Sequence, residues 1–318
     1  MINRIGIISI QDDLHAYAIK NAINASGRAI CHIIEVDQLS SYHHLNWDLD
    51  DLSNSFIHID GENIAINDFS LVWWRRSRTK QLFNDVSYPP DQTDLINNDC
   101  RSAFLGLFLT AFKGKWISHP FYTERAGNKL LQLTEARNVG FITPRTLITQ
   151  CPIELKKFCN SIKSKKIVKP VSGGSQGQLL YTQFFDESNL NIDHSVKVSP
   201  AIYQEYIEGV CHIRLNIFGA DCYAGMIQST ELDWRPNLNV PICKWSVPCD
   251  LSNRIQLILK NLSLEMGVID IKLTSEGEYV WLEINPQGQF LFLEPLTGTP
   301  YTEIFAKYLI SQAELVLA

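Results

Sequence analysis

Three oxygen-bearing side chains near the end of the chain are spaced for a shared task. Asp270 lies in the apolar run VIDIKL, and Glu283 and Asn285 lie two apart in VWLEIN, with TSEGEY between the runs. The glycine-bearing turn predicts a hairpin. Period-two geometry then puts Glu283 and Asn285 on one face, and cross-strand pairing brings Asp270 beside them. Two carboxylates and an amide oxygen, with no imidazole or thiolate among them, suit Mg²⁺ on nucleotide phosphates better than zinc. A solvated hairpin fits the apolar neighbours poorly, and a buried acid pair without a cation is costly.

Lys169 ends the apolar strand KKIVK and leads, past Pro170, into the loop Ser172, Gly173, Gly174, Ser175, Gln176, Gly177, Gln178. Glycines let backbone N–H groups turn toward an anion, and a lysine at the loop base adds a point charge for phosphate oxygens. No GK[ST] follows, so this is not a Walker A loop. A plain glycine-rich hairpin turn accounts for the same residues. The segment Gln204–Gly209 (QEYIEG) reads as a strand end that offers a backbone donor and acceptor to an adenine edge and acids to a ribose; a solvated strand edge is the alternative. Arg214 sits in the apolar strand HIRLNIFG and needs an anion, either a phosphate or a structural carboxylate.

Covalent and zinc chemistry lack support. The eight cysteines include no CxxC pair and read mostly as reduced core residues. Cys211 adjoins His212, but neighbours on a strand point to opposite faces. No Ser/His/Asp or Cys/His spacing stands out.

The elements that must hold these residues come from the hydrophobic pattern. At 318 residues the chain is long enough for two or three fused modules. Residues 1 to about 118 read as one α/β module. IGIISI is a strand, an amphipathic helix from Asp12 carries Leu14, Ala18, Ile19, Ala22 and Ile23, AICHIIEV is a second strand, and a hairpin turns at Asp60-Gly61 before the strand LVWWRR. No GxGxxG follows the first strand, which removes the dinucleotide-binding reading. A helix over 93–112 precedes WISHP, and a helix from Thr123 with Ala126, Leu130, Leu133 and Ala136 ends at Gly140. The strands from KKIVKPV to DCYAGMIQST then read as one mostly antiparallel layer, followed by a helix before Gly267, the acid-bearing hairpin and a helix from Thr302. A net charge of −6 gives no global basic field for a nucleic acid, and no apolar run is long enough to span a bilayer, so a cytoplasmic enzyme is expected.

In order along the chain, NKLLQL, GFITPRT, IVKP, SGGSQG, QEYIEG, HIR, ID and LEINPQGQF resemble the ATP-grasp superfamily. LVWWRR, DWR at Asp233–Arg235 and LTGTP narrow the resemblance to the microviridin-type (graspetide) peptide maturases, near the ribosomal-protein glutamate ligases. The resemblance covers essentially the whole chain. It implies an α/β (α+β) fold with an N-terminal domain over 1–118, a lid domain over 119–207 and a catalytic domain over 208–318. It implies an ATP-dependent carboxylate ligase that works through an acyl phosphate and forms ester or amide cross-links in a ribosomal precursor peptide with a leader. A ligase adding free amino acids to a peptide tail and a silent nucleotide-binding adaptor are the alternatives, and a homodimer is left open. Residue by residue, Lys129 and Lys169 would hold the α- and β-phosphates of ATP, and the loop 172–178 would cover the γ-phosphate. Glu205, Tyr206 and Ile207 would form the adenine hinge, with Glu208 at the ribose. Arg214 would stabilise the transferring phosphoryl group, and Asp270, Glu283 and Asn285 would ligate Mg²⁺. Relatives commonly carry an aspartate where this chain has His212, a second candidate contact to the nucleotide. Leader recognition is expected near Asp233–Cys249.

Overall fold

The computed structural model describes residues 3–83, 87–172, 182–186, 192–237 and 239–317. Contacts divide the chain into two compact units: Met1–Pro120 with Gln289–Glu294 and Thr299–Ala318, and Phe121–Gly288 with Pro295–Gly298.

In the first unit the apolar runs form a parallel sheet. β1 (Asn3–Ser9), α1 (Leu14–Ala25) and β2 (Ala29–Glu35) make the expected β-α-β opening, with β1 and β2 parallel. The helix buries His15, Ala16, Ile19 and Ile23, while Leu14 is exposed, so the buried face is rotated from the one the apolar residues suggest. β3 (His44–Asn46), β4 (Phe56–Ile59) and β5 (Glu62–Ala65) form a small antiparallel sheet. Its β4–β5 turn places Asp60 and Gly61 at φ 53 and 82, the left-handed values that a two-residue hairpin turn requires. β6 (Phe69–Trp74), α2 (Pro90–Ala111) and β7 (Lys115–Ile117) complete the unit's larger sheet in the order β2-β1-β6-β7. Just past β6, Arg75 is fully buried and held by Asp13, the N-cap of α1, with Nε 2.5 Å and Nη2 3.1 Å from its two carboxylate oxygens.

The second unit holds two antiparallel sheets where one layer was expected. The run expected to be one helix from Thr123 is two: α3 (Pro120–Ala126) and α4 (Lys129–Asn138). Asn128 starts the second, because its Oδ1 accepts from the Leu130 and Leu131 N–H groups and satisfies donors that a continuing helix would have used. β8 (Thr146–Thr149), α5 (Pro152–Ser161), β9 (Lys166–Pro170), β10 (Gln183–Phe185), α6 (Ile192–Val198) and β11 (Ala201–Glu205) follow, their strands ordered β10-β9-β11-β8. β12 (Cys211–Phe218), β13 (Asp221–Gln228), β14 (Ile242–Trp245), α7 (Cys249–Leu262), β15 (Met266–Leu273) and β16 (Tyr279–Asn285) supply the other sheet, ordered β14-β13-β12-β15-β16. Alternation cannot say which strands pair, and the break falls at residues 206–210, around Gly209 at φ 132. One face of this sheet packs on α4 and α7 through Ile213, Leu215, Ile255, Leu259, Ile269 and Trp281. The opposite face is left for polar residues.

α8 (Leu293–Thr297) and α9 (Tyr301–Leu317) end the described chain, and α9 belongs to the first unit, where Phe305 packs edge-on against Trp73 with ring centroids 4.8 Å apart. The cysteines are not mostly core residues: Cys31 and Cys159 are buried, whereas Cys151, Cys243 and Cys249 are exposed. A thiol loses little by sitting in water, so residue type alone does not fix its place. No helix among the described residues is long and apolar enough to cross a membrane.

Candidate functional site

A row of charges crosses the polar face of the five-stranded sheet. Arg214 on β12 pairs opposite Asp270 on β15, and Asp270 pairs opposite Glu283 on β16. The ladder is irregular at this point: Asp270 faces Glu283, but the next residue, Ile271, faces Trp281. Leu282 is the extra residue of a bulge. Trp281 therefore stays in the core, while Glu283, two residues on, joins Asp270 at the pocket.

Every charge of the row has a partner. Arg214 Nη1 donates to both Asp270 oxygens at 2.9 and 2.8 Å, and Lys129 Nζ donates to Glu283 Oε2 at 2.5 Å. Lys129 owes its place to local folding. It is the first residue of α4, directly after the capping Asn128, and one turn on the buried Gln132 ties the helix to β16. Gln132 Nε2 donates to Ala126 O and Ile284 O at 2.6 and 2.9 Å, and its Oε1 accepts from Ile284 N at 3.1 Å. Nothing in the sequence pointed to Gln132 except a polar residue on the buried side of an amphipathic helix.

Asp270, Glu283, Lys129 and Lys169 line a pocket of about 300 Å³ within the second unit, together with Gln204–Ile207, His212 and Leu232–Arg235. Burial pushes the Asp270 carboxyl above its usual range; Arg214 pulls it back only in part, and the Glu283 charge pushes it further up. Burial acts on Glu283 too, but the Lys129 and Lys169 ammoniums outweigh it and hold the carboxyl well below its usual range. Lys169, on β9 opposite Ile202, is itself pushed down by burial and by the Lys129 charge, against the pull of Glu283. Two acids forced side by side are the arrangement a divalent cation relieves. Among the described residues no group of three His, Cys, Asp or Glu side chains forms a closed cage. A pair of carboxylates together with substrate phosphates is a common way of holding Mg²⁺. Asn285 stands two pairs further along, opposite Val268; it is exposed, its Oδ1 accepts from Gln287 N at 3.0 Å, and it is not part of the pocket wall.

The other wall carries the segment read as a hinge. The Glu205 N–H donates to Arg145 O at 2.9 Å and the Tyr206 N–H to Lys165 O at 2.8 Å. Of the three hinge residues, Ile207 thus keeps a free N–H among the described residues. Glu205 lines the pocket, whereas Glu208 is exposed and outside it. Ser172 is at the rim, and Gly173, Gly174, Ser175, Gln176 and Gly177 lie outside the described residues.

Asp233, Trp234 and Arg235, which sequence reading placed at the start of a leader-binding region, line this pocket. Arg235 Nε and Nη2 bind the two Asp233 oxygens at 2.8 and 2.5 Å, which pushes the guanidinium pKa up; the Glu283 and Asp270 charges add to the rise. The buried Trp234 ring lies 5.9 Å from the Arg214 guanidinium. The DWR resemblance was the available signal for these residues, though not for their place.

The sequence matches no protein-family model and no curated protein. Solved structures match it over nearly its full length. Macrocyclase MdnC from Microcystis aeruginosa MRC, bound with precursor peptide MdnA, superposes with a TM-score of 0.88 at 22% identity, covering 97% of this chain and 99% of that one. A Chryseobacterium gregarium RiPP-associated ATP-grasp ligase, in complex with ADP and a leader and core peptide, superposes at 0.87 with 24% identity, over 98% and 97% of the two chains. The chain has the ATP-grasp fold. This fold also carries small-molecule chemistry, since D-cycloserine synthetase DcsG superposes at 0.60 with 13% identity over 98% of this chain and 100% of that one.

Proposed function

We propose that this chain is an ATP-dependent carboxylate ligase that forms side-chain ester or amide cross-links in a ribosomal precursor peptide. The observation that carries the ligase reading is one pocket whose wall brings the acid pair Asp270/Glu283 and the cations Lys129, Lys169 and Arg235 together with the hinge segment Glu205–Ile207, while Arg214 backs Asp270 from behind that wall. Adenine would sit at the hinge and the phosphates over the charged row. The sheet of β8–β11 would belong to the lid part of 119–207, and the sheet of β12–β16 to the catalytic part of 208–318.

Mg²⁺ would be held by Asp270 and Glu283, with Asn285 as the third candidate ligand, and would supply charge neutralisation on the phosphates. Lys129 and Lys169 bind phosphate oxygens. A carboxylate of the substrate attacks the γ-phosphate, ADP leaves, and the resulting acyl phosphate is attacked by a hydroxyl or amine with loss of phosphate. Arg214 and Arg235 balance negative charge that builds on the transferring phosphoryl group, and they are pre-oriented by Asp270 and Asp233, so no reorganisation is needed. The enzyme needs no nucleophile of its own.

The peptide reading is supported by the two full-length matches, whose structures hold a precursor peptide and a leader and core peptide. Mass spectrometry of a peptide encoded beside the gene, incubated with enzyme, ATP and Mg²⁺, tests it. Each cross-link removes one water and lowers the mass. A mass gained in steps of one amino acid would instead identify a tailing ligase. ATP binding with no product from peptides or free amino acids would identify an adaptor.

A further inference from the structure

The outer face of the small β3–β4–β5 sheet carries a polar row that the nucleotide pocket does not use. On β4, Ile57 and Ile59 point into the core, so Phe56 and His58 lie on the other face. There His58 pairs opposite His44 of β3 on one side and opposite Asn63 of β5 on the other. The two imidazoles are stacked, with centroids 4.4 Å apart and planes within 10° of parallel.

Asn63 decides how His58 is protonated. Its Oδ1 lies 2.7 Å from His58 Nδ1, and an amide oxygen only accepts, so Nδ1 carries the ring proton. Nε2 is left with its lone pair. A histidine that ligates a metal usually donates its other ring N–H to a fixed acceptor in this way, which sets both the tautomer and the orientation of the ring. His44 stands exposed on the edge strand beside it, with Phe56 edge-on against its ring at 6.3 Å between centroids. A tetrahedral ion about 2.0–2.1 Å from each nitrogen asks for nitrogens roughly 3.3 Å apart, which the stacked rings reach by tilting their outer edges together. Imidazole nitrogen suits zinc, nickel and copper and does not suit Mg²⁺.

We propose that His44 and His58 form a two-imidazole site for a divalent transition-metal ion such as Zn²⁺, Ni²⁺ or Cu²⁺, with Asn63 orienting His58 and water completing the ion's shell. The ion fastens β3, an edge strand of three residues, to β4. Because the two histidines meet only in the folded sheet, binding and strand pairing support each other. The proposal does not rest on the ligase reading.

Calorimetric titration of the untagged, chelator-treated chain with Ni²⁺, in excess Mg²⁺ to compete at the Asp270/Glu283 pair, tests it. Wild type should bind Ni²⁺, with Cu²⁺ tighter and Co²⁺ weaker. His44→Gln and His58→Gln should each lose this binding. Asn63→Ala should weaken it by about 10- to 100-fold, and Asn63→Asp, whose carboxylate is a stronger acceptor for His58 Nδ1–H, should tighten it. A gain in the aspartate variant cannot come from misfolding, so it decides the matter even where a histidine variant folds poorly. Ni²⁺ should also slow amide exchange in β3 of the wild type. No Ni²⁺ binding by wild type, binding that survives replacement of both histidines, Asn63 variants that bind as wild type does, or unchanged exchange in β3 overturns the proposal.

Discussion

Lys129 Nζ and Glu283 Oε2, 154 positions apart in sequence, lie 2.5 Å from each other. The contact joins the first residue of α4 to the acid pair on β15 and β16, so the charge that steadies Glu283 is positioned by a helix cap. The ammonium compensates the carboxylate; on the proposed function it would turn to an oxygen of the nucleotide while a cation took its place at Glu283.

Glu283→Gln should therefore lower ATP turnover by roughly 100-fold or more, since it removes a hard oxygen charge from the acid pair. The protection that Mg-ADP gives against heat should shrink with it. Wild-type rates at ordinary Mg²⁺ in this variant would rule out the metal assignment. Lys129→Met should weaken ADP binding by about 10-fold, as expected for a lost ion pair to phosphate.

Removing the cap is a gentler test of the same geometry. Asn128→Ala takes away the acceptor for two N–H groups of α4 and should cost about 1 kcal/mol of stability. Because Lys129 is the next residue, nucleotide affinity should fall as well, with Lys129 itself unchanged. Thermal unfolding and calorimetry on one preparation separate the two effects.

Arg214→Ala leaves Asp270 in the pocket wall without its bidentate partner. Turnover should drop by about 100- to 1,000-fold, in the range seen when a donor to developing charge is removed, and stability by about 3 kcal/mol. Arg214→Lys should recover stability better than turnover, because a lysine supplies a point charge for Asp270 without the further guanidinium donors that can face developing charge. Single-turnover ATP cleavage and denaturant titration measure the two losses independently.

The pH dependence of stability carries a sign that His212 predicts. Its folded pKa, about 4, lies below the ordinary 6.5, so between these values the unfolded chain binds the extra proton. Stability from this group is present above about pH 6.5 and is lost as pH falls toward 4, by at most about 3 kcal/mol. His212→Gln should flatten the difference curve in that window. An unchanged slope would show that the ring titrates normally.

How much of this could be read beforehand depended on which interaction places each residue. The Asp270–Glu283 pairing follows from hairpin geometry, and Arg214 in an apolar strand announced an anion; both are local. The bulge at Leu282 is not: strict alternation puts Trp281 and Glu283 on one face, and only the ladder shows them parted. Asn128 was a visible N-cap signal that an apolar pattern running through it concealed. Arg235 reaches the pocket from a segment between two strands, where no periodicity constrains a side chain. The split of the strands into two sheets depends on pairing partners, which composition does not encode.

The return of α9 to the first unit governs the order in which a nascent chain can complete itself. Trp73 and its neighbours on β6 emerge before the second unit, yet Phe305, the side chain that packs on Trp73, emerges only after it. At typical elongation rates of about 5–20 residues per second, that face of the sheet stays bare for roughly ten seconds or longer while all of the second unit is made. The unit that emerges in the middle can finish first, and the one that begins the chain must wait. During that interval the exposed tryptophan face is where a chaperone would bind, and a message cut short before the last helix would leave it bare for good.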